Sequence, residues 1–238
     1  MYGFRYDDAI LERFPAIRAG VIVAHGVRNG ATPRLLAEAY EMEQQAVLMR
    51  IGETPLSQLP SLAAWRRAFT AFGVKPTQYR SAAEALLRRL TKQGSIPSVN
   101  LLVDLGNLVS IRYALPVAVV DLAQLTGPIT VQFATGSERF TNLDADEADR
   151  PIPGEVIFVD EAGLVCARRW CWRQSDETGA RDTTTGILIT VEGHHDSADQ
   201  DIAGALADLQ TLLIAHQPGV ALQAGQLSPE QPAFLVEA

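Results

Sequence analysis

Pro116 divides the chain into two regimes, and any fold has to satisfy both. Ahead of it apolar residues recur with helical spacing. Behind it they alternate or run in short blocks between Gly, Ser and acidic turns. Upstream, AGVIVAHGV (19–27) reads as an early strand closed by glycine. Thr32 with Pro33 opens a helix running to about Met49, and Ser61 opens a second that Gly73 stops. Ser81 and Glu84 make a capping box for SAAEALLRRL, which Gly94 ends, and VNLLVDLGNLVSIRY is a fourth helix halted before Pro116. Downstream, VAVVDL, ITVQFA joined to ERF across a TGS turn, EVIFVD joined to LVCARRWCW across EAG, and GILITVEG read as strands linked by hairpins. DIAGALADLQTLLIAH is a last amphipathic helix and PAFLVE a short closing strand. This order predicts an α+β protein with helices packed on a mostly antiparallel sheet. No repeat or linker divides the chain, so a single globular domain is expected over 1–238, with 144–154 an exposed loop.

With 47% hydrophobic residues among 238, the chain can bury a sizeable core. It has no apolar run of membrane-spanning length, and MYGFRYDDAILERF lacks the pattern of a signal peptide, so a cytoplasmic location is expected. Cys166 and Cys171 fall on opposite faces of one expected strand, which argues for free thiols. A net charge of −8 argues against a general nucleic-acid binder. The charge is unevenly spread, however. Between Trp65 and Lys92 seven cations face the single acid Glu84, whereas from Asp176 onward ten acids face one base. That asymmetry permits a polyanion on one face.

Familiar catalytic signatures are missing. There is no phosphate-binding glycine loop, dinucleotide fingerprint or serine elbow. His194, His195 and Asp196 are consecutive and lack zinc-ligand spacing, so neither metal nor cofactor is expected. What stands out is RRWCWRQSDETGARDTTTG (168–186), where cations, indoles and a thiol crowd together before a hydroxyl-rich run. Clean alternation would send Arg168, Trp170 and Trp172 to one face and Arg169, Cys171 and Arg173 to the other, so neither face is simply core. Asn100, Asp104 and Asn107 at helical spacing, Asp121 after a strand and Glu138 at a hairpin are the other polar groups in apolar settings. For Asp104 and Asp121, capping and turn formation are an equal alternative to a site role.

The string SVNLLVDLGNLVSIRYALPVAVVDLAQLTGPITVQFATGSERF resembles the B3/B4 editing module of the phenylalanyl-tRNA synthetase β subunit. The pattern is carried by Asn100, Val103-Asp104, Asn107, Pro116, Asp121, Gly127 and Glu138, followed by CARRWCWRQSDET, Thr184 and ITVEG. The resemblance covers about 75–195 as a B3/B4-like core, on which 1–74 would pack as an N-terminal helical extension. It implies a free-standing hydrolase that cleaves the ester between a wrong amino acid and the terminal ribose of a tRNA. An aminoacyl ester is already activated, so holding the 3′ end, positioning water and stabilising the oxyanion suffice. On this reading Asn107, Glu138 and Thr184 are catalytic, with Thr183 to Thr185 ordering water. Cys171, Trp172, Thr190 and Glu192 bind the amino acid. Arg80, Arg88, Arg89, Arg168, Arg169 and Arg173 hold the tRNA, and Trp170 or Trp172 stacks a base or side chain.

Departures from the family pattern bear on the substrate. Ala118 stands where the family has a histidine, and Cys171 and Trp172 fall where paired glycines make room for tyrosine. Thr190 aligns with the glutamate that reads tyrosine's hydroxyl, while Glu192 lies on the same strand face. A carboxylate opposite an indole suits a planar cationic side chain, such as that of the arginine mimic canavanine. A non-catalytic RNA-binding module and a small-molecule amino-acid ester hydrolase without an RNA partner are the alternative readings.

Overall fold

The computed structural model describes residues 1–142 and 148–237. Ahead of Pro116 come β1 (Tyr2–Tyr6), α1 (Asp8–Arg13), β2 (Arg18–His25), α2 (Arg34–Ile51), α3 (Pro60–Ala71), α4 (Ala82–Gln93) and α5 (Leu101–Tyr113). Behind it follow β3 (Val117–Asp121), β4 (Ile129–Phe133), β5 (Phe140–Thr141), β6 (Ala148–Asp149), β7 (Val156–Val159), β8 (Val165–Arg168), β9 (Arg173–Gln174) and β10 (Gly186–Gly193). The chain closes with α6 (Ala198–His216), β11 (Ala221–Leu227) and β12 (Ala233–Val236). The fold is α+β, but with two main sheets: a six-stranded one in the order β12-β1-β4-β7-β8-β9 and a four-stranded one in the order β11-β2-β10-β3. Strand pairing within both is antiparallel except between β1 and β4.

Three layers result. Helices α2, α4, α5 and α6 cover one face of the four-stranded sheet, burying Leu36, Leu87, Leu105 and Leu206 against Ile187, Ile189 and Val191 of β10. The opposite face, with Val21, Val23 and Leu188, packs on Phe4, Val131 and Phe158 of the six-stranded sheet, and α3 adds Trp65 and Phe69 at the seam. Side chains alternate along a strand, so Thr190 and Glu192 share the face of Leu188 and point between the sheets. Thr190 pairs with Ala118 of β3, which brings residue 118 to the same place.

Several local expectations need correction. ITVQFA and ERF do not pair: β4 lies between β1 and β7, and β5 pairs with β6. The turn bends away because Glu138 collects the N–H groups of Thr135 and Gly136. Residues 1–74, expected as a helical extension, also supply β1 and β2, each an interior strand of its sheet. Thr32 does not cap α2, since its hydroxyl donates to Asp104 and Pro33 occupies the cap position. Pro60, not Ser61, is the first residue of α3. Ser81 does cap α4, yet the other half of the box is lost because Glu84 turns to Arg66. Asn100 caps α5 through the Val103 N–H, and Asp104 accepts from Val99 N–H and Ser98. Among the described residues no helix is long and apolar enough to cross a membrane.

Candidate functional site

The RRWCW segment is a strand only as far as Arg168. Arg169 and Trp170 then adopt left-handed backbone conformations, with φ of 44° and 62°. Each non-glycine residue held there costs about 1–3 kcal/mol, a cost that only strong packing offsets. Trp170 supplies that packing: it is fully buried, edge-on to Phe14 at 5.0 Å, Trp65 at 5.3 Å and His194 at 4.9 Å. Past the double reversal come Cys171 and Trp172. There they wall a small cavity of about 100 Å³ together with Ala118, Phe158, Thr190 and Glu192.

Glu192 is the one acid among the residues lining that cavity, where Arg173 is the one cation. Glu192 is 2% exposed, and its Oε1 accepts from the Tyr6 hydroxyl at 2.5 Å and from the Trp170 indole N–H at 3.0 Å. Burial lifts its carboxyl from 4.5 to about 7, with the two hydrogen bonds pulling the other way. The Cys171 thiol is pushed well up by burial and by Glu192, so it stays protonated and is a poor nucleophile. The sequence signal for Tyr6 is the alternation of Tyr2, Phe4 and Tyr6, which marks a strand and not a site. Removing its hydroxyl has a definite expected effect. Tyr6→Phe should move the Glu192 titration further up by about one unit and cost about 1 kcal/mol of stability, measurable by NMR titration and urea unfolding.

Two larger clefts meet this cavity. A cleft of about 610 Å³ is walled by Arg80, Arg88, Arg89, Lys92 and Arg173, and shares Trp172 and Gln174 with the small cavity. Among the described residues Arg88, Arg89 and Lys92 have no ion-pair partner, so their field is directed into the cleft. Another, of about 360 Å³, has apolar walls from Val103 and Val119 and a polar rim of Asn100, Asn107, Asp176 and Arg181. Asn107 and Gln174 border both large clefts, which places Asn107 at the junction. Gln174, whose amide donates to the Val119 and Thr178 carbonyls, carried no sequence signal of its own.

Of the thirteen residues singled out from sequence, nine line these three spaces: Asn107, Cys171, Trp172, Thr190, Glu192, Arg80, Arg88, Arg89 and Arg173. The other four stand elsewhere. Arg168 is buried and paired with Glu155 at 2.7 Å and Asp149 at 2.5 Å. Arg169 is bound to Glu155 at 3.0 Å and lies against the T-shaped pair of Tyr79 and Trp172, with 4.0 Å and 4.6 Å to the ring centres. Both guanidiniums are thus engaged within the fold rather than free for phosphates. Glu138 is engaged at the 135–138 turn, where burial works to raise its carboxyl but the Thr135 and Gly136 donors outweigh it and lower it. Thr184 donates to Asp121 at 2.6 Å and accepts from the Arg181 N–H at 2.8 Å, so its hydroxyl pins the loop that carries Arg181. Trp170 is core and not a stacking surface.

Residues 64–206 match the family described as the B3/4 domain. The phenylalanine–tRNA ligase beta subunit of Shewanella oneidensis is 31% identical over 186 residues, 78% of this chain and 23% of that protein. The uncharacterized protein YhzB of Bacillus subtilis is 19% identical over 143 residues, 60% of this chain and 68% of that protein. An N-terminal fragment of the phenylalanyl-tRNA synthetase beta subunit from Pyrococcus horikoshii aligns with a TM-score of 0.49 at 12% identity, covering 93% of this chain and 50% of the fragment. The chain thus spans about a quarter of the length of the Shewanella ligase subunit it matches.

Proposed function

This chain belongs to the B3/4 domain family, and on that footing we propose that it deacylates mischarged aminoacyl-tRNA in trans. The observation that carries the reading is the continuity of a cationic cleft with a small cavity closed by the buried Glu192 carboxylate. Arg80, Arg88, Arg89 and Arg173 hold the phosphates of the 3′ end. The terminal nucleoside lies at the junction bordered by Asn107, and the amino-acid side chain enters the cavity beneath Trp172. Water adds to the ester carbonyl and the bond to the ribose oxygen breaks, giving free amino acid and a ribose hydroxyl. Asn107 supplies the amide donor that stabilises the developing oxyanion in this reading, and no covalent intermediate on Cys171 is required.

The substrate follows from the cavity. Glu192 would pair with a cationic side chain, while Trp172, whose ring already takes the Arg169 and Arg173 guanidiniums at 4.6 Å and 4.7 Å, walls the cavity beside it, so the proposed substrate is a tRNA carrying an arginine-like residue such as canavanine. Neutralisation of the cavity on binding couples substrate capture to the Glu192 proton, since its carboxyl titrates near 7.

Ala118 in the cavity wall favours one competing reading, a module that binds tRNA without hydrolysis. Incubation with mischarged tRNAs separates the two, because only a deacylase releases free amino acid. A gel shift with total tRNA at low and high salt tests the RNA partner, as phosphate contacts weaken steeply with salt. Arg88 and Arg89 are exposed, so the double change Arg88→Glu, Arg89→Glu should leave the fold intact. It should weaken tRNA binding about tenfold in that gel shift. Unchanged affinity would remove this cleft from the account.

A further inference from the structure

Helix α4 carries cations toward a second cleft, on the side away from the Glu192 cavity. This cleft measures about 500 Å³ and is walled by Arg66, Arg80, Arg88 and Lys92, with Thr54, Ser57, Thr77 and Thr91 as hydroxyl neighbours. Glu84 is the single acid among its lining residues, and it is buried, with Arg66 at 2.6 Å and Arg80 at 3.8 Å. That carboxylate fixes the two arginines in place and leaves the cleft with a surplus of three positive charges, four cations against one acid. Arg80 is further held by donating to the Thr77 carbonyl at 2.8 Å. In a chain whose net charge is −8, such a concentration is a local exception.

The spacing gives the shape of the ligand. Residues 80, 84, 88 and 92 recur every four positions, and within the helix each such step rises about 6 Å. The row is therefore extended, unlike the compact cradle that a single phosphate would need. Arg80, Arg88 and Lys92 border this cleft and the cleft beside the Glu192 cavity alike, so α4 forms a cationic ridge between the two.

We propose that the cleft between the end of α2 and helix α4 binds the phosphodiester backbone of the tRNA acceptor arm, upstream of the 3′ end held near Glu192. The inference rests on tRNA being the partner, but not on hydrolysis. A strand crossing the ridge passes from paired acceptor stem in the outer cleft to the single-stranded end in the inner one. The hydroxyls of Thr54 and Ser57, at the end of α2, donate to backbone oxygens beside the arginines. Residues 51–57 lie outside the span 64–206 that matches the family model, so this wall comes from the N-terminal part of the chain.

Ser57 and Thr91 are exposed and line only the outer cleft, so Ser57→Glu with Thr91→Glu adds two acids there and reaches the inner cleft only through the shared Arg88 and Lys92. Binding is read by fluorescence anisotropy with uncharged tRNA and, separately, with the tetranucleotide ACCA. The expected result is at least a tenfold loss of tRNA affinity with a shallower salt dependence, while ACCA affinity falls by no more than about twofold through the shared ridge cations. Inorganic phosphate at millimolar concentration should not displace tRNA from the parent. Equal tRNA affinity in variant and parent overturns the proposal. So does a parallel loss for tRNA and ACCA, or displacement by free phosphate, which would mark a small-anion site. A thermal melt confirms that the variant is folded, and Thr54→Glu gives an independent readout from the opposite wall. Failure of hydrolysis in the parent would leave these binding results standing, so the two readings fail separately.

Discussion

At pH 8 the Glu192→Gln protein should be more stable than the parent by about 3 kcal/mol, and the two should converge toward pH 4.5. The folded carboxyl titrates near 7 against 4.5 in its ordinary state, so between these values the folded chain binds more protons than the unfolded one. The stability this contributes is full below 4.5 and is lost as the pH rises through 7. Gln keeps an acceptor for the Tyr6 hydroxyl and the Trp170 N–H but has no charge to desolvate. His194 acts in the opposite sense. Burial among Phe14, Trp65 and Trp170 lowers it from 6.5 to about 3, with His195 and Arg67 adding to the effect. Its contribution is full above 6.5 and is lost as the pH falls toward 3. In the parent the two slopes offset between 4.5 and 6.5. The Gln variant should expose the His194 slope there, about 1.4 kcal/mol per pH unit. Urea unfolding from pH 4.5 to 8 measures both curves. Parallel curves for parent and variant would show that Glu192 is ionised without cost.

The same substitution should reduce discrimination between a cationic and a neutral amino acid by one to two decades. A charge-assisted contact in a dry site is worth about 1.5–3 kcal/mol, which converts to that range. Glu192→Ala should lose as much or more, since it also leaves the Tyr6 hydroxyl and the Trp170 N–H without their acceptor. The parental preference for the cation should grow between pH 6 and 8 as the carboxyl ionises, whereas the Gln variant should show no such growth. A variant that deacylates its best substrate at the parental rate, with the same ranking of amino acids, would mean that the carboxylate does not read the side chain.

Sequence carried some of this site and concealed the rest, for reasons that differ by residue. Thr190 and Glu192 could be placed on one face because strand periodicity is local. The cations of α4 could be grouped because Ser81 and Gly94 bound the helix that carries Arg88, Arg89 and Lys92. Arg168 and Arg169 misled because no glycine or asparagine marks the left-handed pair at 169 and 170, and because Glu155, which binds both, lies in another strand's approach. Glu138 and Thr184 have a site-like spacing, yet short-range donors use up their oxygens, and such bonds leave no trace in residue type alone. Tyr6 reaches Glu192 across 186 positions, a contact that only the stacking of the two sheets creates. The switch from helical to strand period at Pro116 gave the class, but the division into two sheets depends on β1, β2 and β11 entering from the two ends of the chain.

Single-turnover release of free amino acid tests the central claim most directly, with canavanine, phenylalanine and tyrosine each esterified to tRNA and offered to the parent at pH 8. The account predicts release from the canavanyl ester at least tenfold faster than from either neutral aromatic ester, about 1.4 kcal/mol in transition-state preference. Equal rates for the three esters, or a preference for tyrosine, would contradict it.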